Sequence, residues 1–509
     1  MMAQGHPVYR RVPLAAALLV LALALGPLAA VMLRAEGGAL KPSDWSAVWF
    51  TLWQAALSAA LSVILAIPVA RALARRRFAG RGVLVTLLGV PFVLPVIVAV
   101  LGLVAVFGRQ GLVSDALALI GLPPVSIYGY HGVIIAHVFF NLPLATRLIL
   151  HGWLAIPAER FRLAQTLRFS PMLNLRVLEW PMLKQVVPGA WLAIFLICST
   201  SFAVALTLGG GPRATTVELA IYQAVRFDFD LGRAALLALV QVGICVAAAL
   251  LAWRATGDAV LAGGLDRAHP GLGGSRVLDA FWLTLATLFL LVPLGAVLAQ
   301  GIAGLPELGS GAAWAAGRSL AVALGSTLLA VALTLGVALG RGPVQVLAGA
   351  VPLAVSPLVL GVGLFLILRG IASPAALALP VTAMVNAVLT LPFGLRALAP
   401  AVAEAEAGFG RQADLLGLTG WRRLRIVILP RIRRPLGFTA GLAAALSMGD
   451  LGVITLFAGQ EQETLPLHMY RLMGSYRFEA AAAAALVLVG LTLALFWLFD
   501  RGGRANAAL

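Results

Sequence analysis

Long runs of apolar residues, separated by short polar stretches, make up most of this chain. Twelve of these runs approach the roughly 20 residues that a helix needs to cross the hydrocarbon core of a bilayer. They lie near residues 13–33, 48–70, 83–107, 129–150, 186–208, 231–253, 279–300, 319–340, 346–368, 375–397, 436–458 and 479–499. In lipid, backbone polar groups must find partners within their own segment, and no series of short alternating strands is present. The pattern therefore predicts an all-α integral membrane protein with about 12 transmembrane helices.

The composition supports this prediction and excludes several classes of protein. Of the 509 residues, 61% are hydrophobic and 11% are charged, whereas a soluble domain carries roughly 25% charged residues. A soluble enzyme, a disordered protein and a disulfide scaffold are excluded on this ground. Both cysteines, Cys198 and Cys245, lie inside apolar runs. We expect them to act as small buried hydrophobic residues rather than as metal ligands.

The basic residues indicate how the chain is oriented. There are 37 Lys and Arg against 20 Asp and Glu, for a net charge of +17. With both termini in the cytoplasm, 27 of the 37 basic residues fall on the cytoplasmic side, as the positive-inside rule requires. No contiguous basic and aromatic surface of the kind that binds nucleic acid is present. The first run is longer than the apolar core of a signal peptide, so we interpret it as the first span.

The chain contains an internal repeat. At an offset of 249 residues, segment 143–184 matches segment 392–433 at nine positions without a gap. At an offset of 261, Pro91 and Gly102 match Pro352 and Gly363. We predict two six-span halves in parallel orientation, 1–253 and 279–509, with repeated cores at about 48–253 and 319–500. Residues 254–278 are polar and rich in glycine, which is typical of a linker. Parallel repeats of this kind build one pore from two equivalent walls.

The best-matching part of the repeat is a cytoplasmic segment of roughly 35 residues between the fourth and fifth spans of each half, a length that suggests a function. In each copy, apolar residues are spaced to share one helical face. A short helix of this kind could insert into a partner's groove or lie on the lipid headgroups. Gly417 can end the second helix in a left-handed turn. The candidate docking residues are Phe161, Ala164, Leu167, Arg168, Pro181, Phe409, Ala413, Leu416, Gly417 and Pro430.

These segments resemble the "EAA" loop of the permease subunits of bacterial binding-protein-dependent ABC importers. The resemblance implies a type I permease fold, and it implies that each segment forms a coupling helix that docks on a cytosolic ATPase. Ala413 and Gly417 occupy the alanine and glycine positions of the motif, and Leu429-Pro430 follows. The first copy keeps Ala164 and Pro181 but has Arg168 at the glycine position. We therefore expect one docking site to be tighter than the other.

A narrower resemblance covers the segments 201–230 and 447–452, which are similar to those of thiamine and thiamine pyrophosphate importer permeases. It implies a permease subunit in the bacterial inner membrane, served by a periplasmic thiamine-binding protein and two copies of an ATPase subunit. It also implies that the chain itself is not an enzyme. Fused permeases for ferric iron or polyamines share the architecture, so a permease for another small solute is an alternative.

The sequence contains no phosphate-binding G-x-x-x-x-G-K-[ST] loop, so we expect no cofactor in this chain and ATP hydrolysis by a separate subunit. A proton-coupled secondary transporter, the other alternative, usually needs ionisable residues deep in the membrane. Here the main one is Asp450, whose repeat counterpart is Ser201. We predict that a group of polar residues lines the translocation path, where one acidic group could face a cationic thiazolium. Interhelical hydrogen bonding is the alternative role. The group consists of His137, Ser199, Thr200, Ser201, Asn386, Ser447 and Asp450.

Overall fold

The computed structural model describes residues 7–89, 93–209, 211, 214–255, 275–459 and 461–504, and within these ranges all regular structure is helical. The first half contains α1 (Pro7–Ala35), α2 (Pro42–Arg75), α3 (Arg81–Leu87), α4 (Val96–Phe107), α5 (Leu112–Ala118), α6 (Tyr130–Ala155), α7 (Ala158–Thr166), α8 (Pro171–Ser199, with a π-helical turn at Leu175–Glu179), α9 (Phe202–Leu208), α10 (Val217–Arg226) and α11 (Leu231–Ala255).

The second half repeats this order. It contains α12 (Arg276–Ala303), a 3-10 turn (Leu305–Glu307), α13 (Ser310–Ala338), α14 (Pro343–Ala350, continued by a 3-10 turn at Val351–Leu353), α15 (Pro357–Leu368), α16 (Ala378–Leu415), α17 (420–448, with a π-helical turn at Leu424–Ile428), α18 (Gly452–Phe457), α19 (Leu465–Gly474) and α20 (Phe478–Arg504). Most of the predicted linker, 256–274, lies outside the described residues, and 276–278 already belongs to α12.

The predicted number of spans is confirmed within the described residues. Eleven helices are long and apolar enough to cross a membrane, and a twelfth span results if the bent pair α14–α15 is counted as one. The span predicted over 346–368 is not one continuous helix, because the chain bends by 99° between Leu353 and Pro357. Pro352 and Pro357 lack the N–H groups that a continuous helix needs at this point. The 12-residue α15 is therefore only about 18 Å long.

The fifth span of each half, predicted over 186–208 and 436–458, is also interrupted. In the first half α8 ends at Ser199 and α9 begins at Phe202. In the second half α17 ends at Met448 and α18 begins at Gly452. Hydropathy does not detect these interruptions because the residues on both sides are apolar.

After each interruption a short helix packs back against the second span of its own half. The backbone N–H of Val217, the first residue of α10, donates to Thr51 Oγ1 at 2.9 Å. Thr51 lies nine residues into α2, which is about 14 Å from the start of that helix. The second half repeats the contact, since the N–H of Leu465 at the start of α19 donates to Ser319 Oγ at 2.8 Å.

The first helix of each half packs against the opposite half. Helix α1 contacts α15, and α12 contacts α4. At each crossing a glycine meets the backbone of a proline: a Cβ on Gly363 would collide with the carbonyl oxygen of Pro27, and one on Gly102 would lie 2.6 Å from that of Pro293. The start of α12 is held by a buried ion pair in which Arg76 Nε lies 2.6 Å from Asp279 Oδ2. These crossings join the two halves into one body.

Both cysteines are buried and free, as expected from their apolar surroundings. The largest buried cluster contains side chains from both halves, including Val31 of α1, Ile97 of α4, Val359 of α15 and Leu456 of α18. The core therefore lies between the repeats at the level of the helix interruptions. This arrangement places the interrupted segments where the two halves meet.

Candidate translocation site and cytoplasmic turns

Three of the predicted path residues form one polar group at the interruption in the second half. Asn386 Nδ2 on α16 donates to Ser447 Oγ at 3.1 Å. Asp450 lies between α17 and α18, and its Oδ1 accepts a hydrogen bond from the N–H of Gly452 at 3.1 Å. Its Oδ2 is shielded from solvent and has no hydrogen-bond partner among the described residues. Asp450 thus caps α18 with one oxygen, and its other oxygen is buried without a hydrogen bond from the described residues.

The matching interruption in the first half is polar but carries no charge. Ser199 Oγ donates to the carbonyl oxygen of Leu196 at 2.8 Å, and Thr200 Oγ1 donates to the same oxygen at 3.1 Å. The carbonyl of Ser199 accepts from Gln241 Nε2 at 3.0 Å. Ser201, the repeat counterpart of Asp450, is half-buried at the N-terminus of α9. The two interruptions therefore differ chiefly by one carboxylate.

His137 is buried within the first half. Its Nδ1 lies 3.5 Å from Ser58 Oγ on α2, and its Nε2 has no hydrogen-bond partner among the described residues. One turn further along α6, Asn141 Nδ2 donates to Cys198 Sγ at 3.4 Å. The described contacts of the His137 side chain thus run to α2, and they do not join it to Ser199, Thr200 or Ser201.

The two interruptions approach each other across the boundary between the halves. A Cβ on Gly449 would lie 3.0 Å from Cα of Pro95 in the first half. A Cβ on Gly452 would lie 3.9 Å from the Phe202 ring and 3.6 Å from Asp450 Oδ1. Glycine at 449 allows the end of α17 to approach the backbone of Pro95, whereas the distances at Gly452 are ordinary van der Waals contacts. Irregular backbone at this depth is tolerated where protein or a cavity surrounds it.

Glu218, the second residue of α10, was not among the residues predicted from the sequence. Its side chain is fully buried, and neither carboxyl oxygen has a hydrogen-bond partner among the described residues. The Ser356 hydroxyl at the N-terminus of α15 faces it, so Glu218 lies between the two halves. The sequence does place one acidic residue within the otherwise uncharged stretch from Thr216 to Val225. This stretch lies between two predicted spans, so it was interpreted as an outer loop.

The first cytoplasmic turn presents only part of the predicted docking stripe. Phe161 and Ala164 are buried against their own chain, each 3% exposed. Leu167, at the end of α7, is 58% exposed, and its neighbour Leu163 is similarly open. Phe161 and Ala164 therefore fix the helix to the permease, and the two leucines form its outer apolar surface.

The second cytoplasmic turn is the end of a longer helix, not the separate short helix that was expected. Helix α16 runs without interruption from the tenth span to Leu415. Ala413 is buried, whereas Leu415 and Leu416 are largely exposed. Phe409 is partly exposed, and the Arg431 guanidinium lies 3.6 Å above its ring. Its outer apolar surface is again a pair of leucines.

Both turns end in the same conformation although one has arginine where the other has glycine. Gly417 has a φ of 63° and Arg168 a φ of 51°. The N–H of Phe169 donates to the carbonyl of Ala164, and the N–H of Leu418 donates to that of Ala413, each at 2.9 Å. These bonds are typical of a left-handed helix C-terminus. Pro181 and Pro430 occupy equivalent positions, each two residues after the π-helical turn within α8 or α17.

The second turn is reinforced by ion pairs that the first lacks. Arg423 pairs with Glu406, and its Nη1 lies 2.5 Å from Asp414 Oδ1. At the equivalent positions the first half has Pro157, Gln165 and Asn174, which cannot form this cluster. The first half has a different ion pair here, in which Arg71 Nε lies 2.6 Å from Oε2 of the buried Glu179. The two turns thus share a backbone shape and are held by different ion pairs.

Comparison with known proteins relates these features to a family. No family model matches the chain. The chain is 39% identical over 454 residues to the thiamine transport system permease protein ThiP of Salmonella typhimurium, covering 85% of this chain and 84% of that protein. It is also 39% identical over 454 residues to ThiP of Escherichia coli, with the same coverage. ThiP of Haemophilus influenzae is 33% identical over 448 residues, covering 84% of this chain and 82% of that protein. The chain belongs to the family of thiamine transport system permease proteins.

Proposed function

We propose that this chain is the permease subunit of an ATP-driven thiamine importer and forms the transmembrane path for the vitamin. The observation that carries the proposal is the 39% identity to thiamine permeases over 454 residues, which spans both halves. The proposal assigns no chemical reaction to the chain. The chain would alternate between a conformation open to the outside and one open to the cytoplasm, and ATP hydrolysis by a separate subunit would drive the change.

The two cytoplasmic turns are suited to bind the ATPase subunits. Each ends in the same left-handed turn and exposes a pair of leucines, Leu163 with Leu167 and Leu415 with Leu416. Exposed apolar residues on a short helix can fill a groove of a partner protein. Two matching turns on one chain fit two copies of one cytosolic ATPase subunit. The buried Phe161 and Ala164, and the Arg423 ion pairs, would carry force from each ATPase into the helices.

The orientation follows from the charges. With the turns in the cytoplasm, 27 of the 37 basic residues are also there, and both termini are cytoplasmic. The short helices α10 and α19 then lie toward the periplasm, where a thiamine-binding protein would release its ligand. The protein would reside in the bacterial inner membrane.

We assign Asp450 the role of attracting the cationic ring of the substrate between the halves. Its Oδ2 has no partner among the described residues, while its Oδ1 caps α18. Asp450→Asn keeps an oxygen that can accept from Gly452 and removes only the charge. We expect this variant to lower the rate of thiamine uptake by at least tenfold without lowering thermal stability. Undiminished uptake would leave Asp450 as a helix cap alone.

Uptake should be measured in right-side-out proteoliposomes that contain this chain and the ATPase subunit, with ATP enclosed in the lumen and the binding protein added outside. Radiolabelled thiamine is expected to accumulate only when ATP is hydrolysed. Unlabelled thiamine pyrophosphate added in excess shows whether the phosphorylated vitamin competes. Transport by this chain alone on an ion gradient would contradict the proposal. A preference for ferric iron over thiamine would contradict the substrate assignment only.

A further inference from the structure

An apolar cavity of about 510 Å³ lies where the third span of the first half meets the second half. Its walls are formed by residues of the α3–α4 region, α12, α17 and α20, among them Leu294, Leu442 and Leu493. The volume is within the range of cavities that hold a small ligand. The almost wholly apolar walls are a poor environment for a hydrophilic cation, so the cavity is distinct from the path proposed around Asp450.

Three polar side chains reach this cavity, and two of them are already engaged. Thr86 Oγ1 donates to the carbonyl of Gly82 at 2.9 Å, and Thr492 Oγ1 donates to that of Leu488 at 2.7 Å. The third is Arg147 of α6, whose Nη1 lies 2.6 Å from where a Cβ of Gly89 would be. Among the described residues no carboxylate forms an ion pair with Arg147. A guanidinium beside an apolar cavity, without a counter-ion from the protein, favours an anionic ligand that also has an apolar part.

The depth of Arg147 identifies the class of ligand. It lies 17 residues along α6 from Tyr130, which corresponds to roughly 26 Å, and the hydrocarbon core is about 30 Å thick. In the orientation proposed above, Arg147 is therefore close to the cytoplasmic boundary of the hydrocarbon. This is the level at which lipid phosphates begin, and basic pockets between helices on this side bind anionic headgroups.

We propose that the cavity binds an anionic phospholipid of the cytoplasmic leaflet, with an acyl chain between the halves and the phosphate on Arg147. The assignment to this leaflet rests on the orientation given under the proposed function, whereas the binding site itself does not. Because the walls come from both halves, the bound lipid contacts both bodies that move during transport. The repeat counterpart Arg396 is exposed and lies outside the residues that line the cavity.

The site can be tested on the full chain purified in detergent, with phosphatidylglycerol or phosphatidylcholine added at matched concentrations. Native mass spectrometry gives the number of lipids retained, and thermal unfolding gives the stabilisation. We expect one phosphatidylglycerol to bind wild-type protein at least tenfold more tightly than the Arg147→Gln variant. Arg147→Lys should restore part of the preference, and Arg396→Gln should match wild type. A separate variant, Val489→Phe, fills the cavity and should weaken binding of both lipids.

Equal binding of phosphatidylglycerol by wild type and Arg147→Gln would overturn the proposal. An equal loss in Arg396→Gln would also overturn it, because that result indicates attraction to surface charge in general. Inorganic phosphate provides a third control: if it stabilises the protein as well as the lipid does, the site binds the free anion and the acyl chain has no role. None of these measurements depends on thiamine transport, so their failure is distinguishable from failure of the proposed function.

Discussion

Glu218 is a carboxyl group that the fold removes from water without giving it a hydrogen-bond partner among the described residues. It belongs to the short helix α10, which is not one of the spans. Burial raises the pKa of Glu218 from 4.5 to about 8, because the ionised form loses its hydration. The folded protein therefore binds one more proton than the unfolded chain between those two pH values. This residue lowers the stability of the fold progressively as the pH rises through that window.

Replacing Glu218 by Gln removes the ionisation and keeps the shape of the side chain. We expect the Glu218→Gln variant to match wild type near pH 4.5 and to unfold at a higher temperature near pH 8, by several degrees. Thermal unfolding in detergent at a series of pH values measures the difference. Glu307→Gln, at an exposed position, should show no such trend. A Glu218→Gln effect that is constant with pH would show that the carboxyl group ionises normally.

At the residue scale, the spacing of apolar residues predicts a local helix better than it predicts the directions of the side chains. The spacing of Phe161, Ala164 and Leu167 correctly indicates one helix, but spacing does not reveal whether its apolar face turns to the protein or away. Two of these residues are buried and the third is exposed. Asn386, Ser447 and Asp450 come together because two spans cross there, which is tertiary information. Glu218 was missed because hydropathy does not show that the segment between two spans packs back into the protein.

At the scale of single elements, the two cytoplasmic turns allow a comparison within one molecule. A residue with a Cβ in the left-handed region costs roughly 1 kcal/mol more than glycine. Arg168 is in this region and Gly417 has open space around its missing Cβ. We expect Arg168→Gly to raise the free energy of unfolding by about 1 kcal/mol, and Gly417→Ala to lower it by a similar amount. Thermal or denaturant unfolding in detergent would measure both changes.

Gly408 serves as the matched control because it lies inside α16 with nothing within 4 Å of the position of a Cβ. Alanine there should raise stability by roughly 0.5–1 kcal/mol, since it favours the helix. If Gly417→Ala were stabilising to the same degree as Gly408→Ala, the chain at 417 would be helical rather than left-handed. The two substitutions are chemically identical, so only the backbone conformation separates their outcomes.

The difference between the two turns can be traced to one position of the repeat. Pro157 follows α6, and the residue before it, Ile156, is extended with a ψ of 123°, as proline requires of its predecessor. The equivalent residue in the second half is Glu406, which continues α16 and pairs with Arg423. The presence of proline at 157 and of glutamate at 406 was enough to predict that the helix ends in the first half and continues in the second. The bend between α14 and α15 could likewise have been predicted from Pro352 and Pro357.

At the scale of the whole molecule, the number of spans could be predicted because hydropathy is a one-dimensional signal. The partners of each span could not, since every apolar helix can pack against any other in lipid. The structure packs α1 against α15 of the second half as well as α11 of its own half, and α12 against α4 of the first half as well as α20 of its own half. Each first helix is therefore shared between the two halves.

This arrangement predicts that the crossings at Gly363 and Gly102 hold the two halves together. A methyl group at either site meets proline backbone, which cannot move aside as a flexible side chain can. We expect Gly363→Ala and Gly102→Ala each to destabilise the protein by about 1–3 kcal/mol, the usual cost of overpacking. Gly26→Ala, one residue from Pro27 but with nothing within 4 Å of its Cβ position, should not destabilise the protein.

A sharper measurement adds a protease site between residues 256 and 274 and follows co-elution of the two fragments in detergent. With native glycines the cut halves should remain associated, because α1 and α12 still cross, and Gly363→Leu should promote their separation. Halves that separate readily with the native glycines would mean that the connecting segment, not the shared helices, joins them.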